Sequence, residues 1–122
     1  MYKTYSNNPA VAEKQGEACE FLETDVYGVF AAVRDVIHAG GRLVSHPLSG
    51  SIKPNESPYK SVLVDVVKQN TLDFKSLQII EDAITALKRL PQKNHEYSTQ
   101  VLEDFQVIDL DLISSAFLGN TY

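Results

Sequence analysis

Two short segments hold most of the side chains that could do chemistry. One is Ser6-Asn7-Asn8-Pro9; the other is His46-Pro47-Leu48-Ser49-Gly50-Ser51, followed by Lys53 and Lys60. Asn8 before Pro9 marks a helix start, and the free N–H groups of a first helical turn suit an anion. The second segment supplies hydroxyls from Ser49 and Ser51, a conformationally free Gly50 and the imidazole of His46. Lys53 and Lys60 add positive charge. Asn7, Asn8, His46, Ser49, Gly50, Ser51, Lys53 and Lys60 are therefore the expected ligand-binding set. An imidazole ordinarily titrates near neutrality, which makes His46 the candidate general acid–base of a small enzyme. The plainer reading of the same residues is a cap and a turn-forming loop, with His46 bonded to backbone ahead of Pro47.

The remaining reactive groups point away from several chemistries. Cys19 is the one cysteine, so no internal disulfide or cysteine-rich zinc framework can form. It lies in a β-favouring run with no cation beside it in sequence, and a buried structural thiol is expected. His38, His46 and His95 lack the spacing of metal ligands. His38 is placed at a helix end on the surface, and His95 in an exposed linker. No glycine-rich phosphate motif is present, so nucleotide binding by the usual glycine devices is not supported, and no cofactor is expected. Glu81-Asp82, Asp109 and Asp111 read as solvated helix faces or caps.

The elements that must position these groups follow from periodicity. Tyr2 to Ser6 reads as a strand, Pro9 to Gln15 as a helix stopped by Gly16, and Ala18 to Leu22 as a second strand. Thr24 or Asp25 caps a helix whose Val26, Val29, Phe30, Val33, Val36 and Ile37 form one apolar stripe. Ala39-Gly40-Gly41 ends it. Arg42 to Ser45 is a third strand, and His46 to Pro58 a proline-rich loop. Ser61 to Val67 is the β-branched run of a buried strand. Helices follow from about Asp73 to Arg89 and from Thr99 to Leu118, with a break near Asp109 allowed for. The expected fold is a small α/β three-layer sandwich: a four-stranded, mostly parallel sheet ordered 2-1-3-4, with C-terminal helices. Only a loop joins the last two strands, so the fourth could run antiparallel. In such a sheet the ligand crevice lies at the carboxyl ends of the first and third strands, where the two chemical segments would meet.

Composition agrees with one ordinary domain spanning residues 1–122. Apolar residues make up 43% and charged residues 22%, with a net charge of −5. An acidic chain lacks the surface that drives nucleic-acid or anionic-membrane binding. No run is long and apolar enough to span a bilayer, and the first residues have no signal-peptide core. A cytoplasmic location is expected.

A family resemblance rests on particular residues. These are Ser6-Asn7-Asn8-Pro9, Arg34 to Gly40 leading to Leu43, and above all the stretch from Ser45-His46-Pro47-Leu48-Ser49-Gly50-Ser51 through Pro54-Asn55-Glu56-Ser57-Pro58-Tyr59-Lys60-Ser61. Together they resemble the GrdX type, small proteins encoded beside glycine, sarcosine and betaine reductases of amino-acid-fermenting anaerobes. The resemblance implies an accessory role near thiol- and selenium-dependent reductases and assigns no catalytic residues. With one cysteine the chain cannot serve alone as a dithiol carrier. The leading expectation is a non-catalytic accessory protein that binds a reductase component or a small anionic metabolite through the 46–61 loop. A small enzyme with His46 as acid–base is the alternative, and an oligomerisation module using the last helix is a third class.

Overall fold

The computed structural model describes residues 1–50, 53–91 and 96–119. Ser51 and His95, both named above, lie outside the described residues. β1 (Tyr2–Ser6) runs into α1 (Pro9–Gln15); a single 3₁₀ turn precedes β2 (Cys19–Phe21), and α2 (Val26–His38) leads to β3 (Arg42–Leu43). After the long loop come β4 (Ser61–Asp65), α3 (Phe74–Arg89) and α4 (Thr99–Gly119). The helix starts follow the capping rules. Asn8 Oδ1 accepts from Ala10 N at 3.0 Å ahead of Pro9, and Asp25 Oδ1 accepts from Gly28 N at 2.8 Å. Gly40 follows α2 with φ 109°, and a Cβ there would lie 2.9 Å from the Gln69 carbonyl oxygen, so only glycine fits.

The strands form one sheet in the order β2-β1-β4-β3, which corrects the expected 2-1-3-4. The sheet is also mixed and not mostly parallel. β1 and β2 are parallel, while β4 runs antiparallel to both β1 and β3. The reason lies in strand length and burial. Ser61 to Val64 are all buried, which suits a central strand, and β4 pairs with β1 along its whole length. β3 stops at Leu43 because the N–H groups of Val44 and Ser45 both donate to the Leu63 carbonyl, at 2.9 and 3.1 Å. Two residues there oppose one, as in a bulge, and so short a strand belongs at an edge.

Three layers result. Val62 and Val64 join Val29, Phe30, Val33, Ile37, Ile80 and Ile84 in a core between the sheet and α2 and α3. Leu63 points the other way, into a smaller cluster with Val11 of α1, Val44 and Ile113 of α4. The α2 stripe read from sequence is the face that packs: Val29, Phe30, Val33 and Ile37 are all fully buried. α4 runs unbroken through Asp109. No described helix is long and apolar enough to cross a membrane.

Candidate functional site

The carboxyl end of β1 is where the two sequence segments meet. Asn7 staples the loop to it. Its Nδ2 donates to the carbonyls of Thr24 (2.9 Å) and Pro58 (2.8 Å), and its Oδ1 accepts from Lys60 N (2.8 Å). Asn8 bonds toward α4 instead. Fully buried, it donates through Nδ2 to the Gln106 carbonyl and to Asp109 Oδ2, both at 3.0 Å. Ser61 Oγ lies 2.7 Å from Asp109 Oδ2 and 2.7 Å from Ser6 Oγ, and Ser6 Oγ accepts from Asn8 N at 2.9 Å. A carboxylate only accepts, so the Ser61 proton goes to Asp109 and the Ser6 hydroxyl donates to Ser61. The Asn8 amide and the Ser6 and Ser61 hydroxyls are all satisfied within this network.

The switch-point crevice expected between parallel strands is replaced by this network. β1's neighbour here is the amino end of an antiparallel β4, and α4 covers the place. The first turn of α1 already has an acceptor in Asn8 Oδ1, and Asp109 brings the protein's own carboxylate close by. Asp109, expected on a solvated face or at a cap, is 7% exposed and structural. The signal for it was a second α4 register through Leu102, Asp109 and Ile113, alongside the stripe that the spacing predicts through Val101, Phe105, Ile108, Leu112, Ala116 and Phe117. Of these, Ala116 and Phe117 do pack beside Ile113. Along that stripe Val101, Ile108 and Leu112 remain exposed.

The other expected site residues lie along the loop. His46 Nδ1 accepts from Leu48 N at 3.1 Å, shaping the turn around Pro47. Gly50 has φ 102° and abuts Leu112, so a Cβ there would lie 2.8 Å from Leu112 Cδ1. Lys60 Nζ donates to the Ser49 carbonyl at 3.1 Å. Lys53, Lys60 and Asp109 border a void of about 20 Å³, and a second void of about 10 Å³ also touches Lys60 and Asp109. Spaces of that size hold a water, not a metabolite. Among the described residues no cluster of acids, histidines or thiols is placed to hold a metal ion.

Burial pushes the Lys60 amine below the ordinary lysine range, and the Asp109 carboxylate opposes the shift. A cation lowered in this way costs stability while charged. The cost is full below the folded-state pKa and fades as pH rises toward the ordinary lysine value of about 10.4. Relative to wild type, the effect of Lys60→Met should therefore be pH-independent below the folded-state pKa, and the variant should lose stability across the alkaline window between that pKa and the ordinary lysine value. Denaturant melts of both proteins across the range check this; a difference that stays constant through that window would contradict it.

Cys19 is half-buried, less enclosed than expected. Burial first, then the Glu20 charge, raise its thiol above the ordinary range, with Asp109 adding to them and Lys3 opposing. Slow labelling by a thiol reagent at neutral pH is expected, rising steeply in denaturant. Fast labelling of the folded chain would contradict that environment.

The large concavity lies on the other side of the loop. A cleft of about 620 Å³ opens between Pro54, Asn55, Pro58 and Tyr59 on one wall and the starts and ends of helices on the other. Thr24 to Tyr27 contribute the entry to α2, and Leu87, Lys88, Leu90 and Pro91 the exit from α3; Asn7 lies at its edge. The loop wall is fixed from three sides. Asn7 holds Pro58 and Lys60, Asn55 Nδ2 donates to the Pro91 carbonyl at 2.9 Å, and Gln106 Nε2 donates to Tyr59 Oη at 2.9 Å. Sequence reasoning found this loop but missed Thr24–Tyr27 and Leu87–Pro91, which only tertiary packing brings to it.

Fold and site together define a small mixed-sheet α/β domain with a preformed cleft beside its central loop. The model of the GrdX-like protein family matches residues 4–118, and the chain belongs to that family. No curated protein and no solved structure matches it.

Proposed function

We propose that this chain is a non-catalytic accessory protein of an amino-acid reductase system of the glycine type, and that it binds a small carboxylate-bearing metabolite. The observation that carries the binding reading is the cleft of about 620 Å³, within the size range of small-molecule sites, roughly 300–1,000 Å³. Its walls are more apolar than polar, with Pro54, Pro58, Tyr59, Leu87, Leu90 and Pro91 set among five polar residues, Asn7, Thr24, Asp25, Asn55 and Lys88. Such a lining buries a small organic molecule and lets those polar groups select it. The accessory role draws on membership of the GrdX-like family. The non-catalytic reading draws on His46, whose Nδ1 is engaged by a backbone N–H.

Thermal unfolding in the presence of small carboxylates tests the binding reading. A ligand of the folded state raises the melting temperature with concentration, by about 2.7 kcal/mol of stability at a hundred times its Kd. Wild type should be stabilised by at least one such compound, and Tyr27→Ala, altered at an exposed cleft residue, should lose that response while melting normally alone. Equal responses in the two proteins would place binding elsewhere and overturn the reading.

A further inference from the structure

We propose that the cleft takes a zwitterionic α-amino acid with an apolar side chain, an inference that rests on reading the cleft as a ligand site. Two opposite charges line it, Asp25 and Lys88. Among the described residues neither is joined to the other or to a third group in an ion pair. Both are nevertheless held in place. Asp25 Oδ1 accepts from Gly28 N at 2.8 Å, which fixes the carboxylate at the start of α2. Lys88 Nζ stands 5.4 Å from the centroid of the Tyr27 ring, and Tyr27 lies two residues beyond Asp25 in the same helical turn. A positioned anion and a positioned cation thus share one cleft without neutralising each other.

That arrangement discriminates by charge. A simple anion gains Lys88 and meets Asp25; a simple cation gains Asp25 and meets Lys88 and its like charge. A molecule carrying both an ammonium and a carboxylate on one carbon satisfies both, ammonium to Asp25 and carboxylate to Lys88. Its side chain then has Pro54, Tyr59, Leu87 and Leu90 to pack against.

Titration calorimetry on the full chain tests this with three probes of one shape. They are L-leucine, 4-methylpentanoate, which lacks the amine, and 3-methylbutylamine, which lacks the carboxylate. Leucine should bind about tenfold tighter than either, the equivalent of one modest charge contact. Lys88→Met should erase the preference for leucine over the amine. Asp25→Asn should erase the preference over the acid, and asparagine caps a helix as well as aspartate, so this variant folds. If 4-methylpentanoate binds as tightly as leucine, the zwitterion proposal falls while the cleft remains a ligand site. Absence of binding by all three to natively folded protein overturns the proposal too. The thermal-shift comparison with other carboxylates then judges the cleft itself.

Discussion

Val33→Asp is expected to leave no cooperatively folded protein at room temperature. Val33 is fully buried on α2 within the cluster that includes Phe30, Ile37, Val62, Val64 and Ile80. A carboxylate there would have no partner, and an unpaired buried charge costs several kcal/mol even after relaxation. The whole stability of a domain is only about 5–15 kcal/mol. Val33→Ala supplies the control. It leaves a small cavity, should cost about 2 kcal/mol, and should still unfold in one transition. Far-UV circular dichroism with a urea melt distinguishes the two. A Val33→Asp chain with a native spectrum and a sharp melt would mean that this face of α2 does not bear the core.

The second large effect concerns the attachment of α4. Asp109→Ala removes the acceptor shared by Asn8 Nδ2 and Ser61 Oγ. The Ser61 hydroxyl can turn to Ser6 Oγ, but Asn8 keeps only the Gln106 carbonyl. One of its N–H groups is then stranded, and two bonds to a charged acceptor are lost in a buried place. A stranded group of this kind costs about 1–3 kcal/mol and the lost charged bonds add to it, so a loss near 3 kcal/mol and a melting point lower by on the order of 10 °C are expected. Asp111→Ala, at an exposed position two residues on, should change stability by less than about 0.5 kcal/mol. Amide exchange along α4 should quicken in the Asp109 variant before that of β4 does. Equal effects from the two substitutions would show that the buried network does not anchor the helix.

How far the sequence reaches depends on which residues carry the signal. α1 was legible to the residue because Asn8-Pro9 and Gly16 mark both of its ends chemically. The α2 stripe was legible because its apolar spacing has one solution. The sheet order was not, since periodicity reports which residues are buried and not which strand lies beside which. The decisive facts were the two-residue length of β3, cut short by the Val44–Ser45 bulge, and the full burial of Ser61–Val64. α4 misled for a related reason. It carries two candidate registers, and the one that docks includes an acid, so its sequence resembles a solvated face. Asn7 was expected to face the 46–60 loop and does bond to it, but through backbone contacts at Pro58 and Lys60. The cleft was beyond reach because its second wall joins residues near 25 with residues near 90.

Amide spectra of ¹⁵N-labelled protein test the central claim most directly. The chain is saturated with whichever of L-leucine or 4-methylpentanoate binds more tightly. Shifts gathered at Val26, Tyr27, Tyr59 and Leu90 are the predicted result, since these residues line the cleft. Shifts gathered instead at Ser49, Gly50 and Ser61, the hydroxyl-rich side of the loop against α4, would contradict the account and move the ligand to the opposite side of the loop.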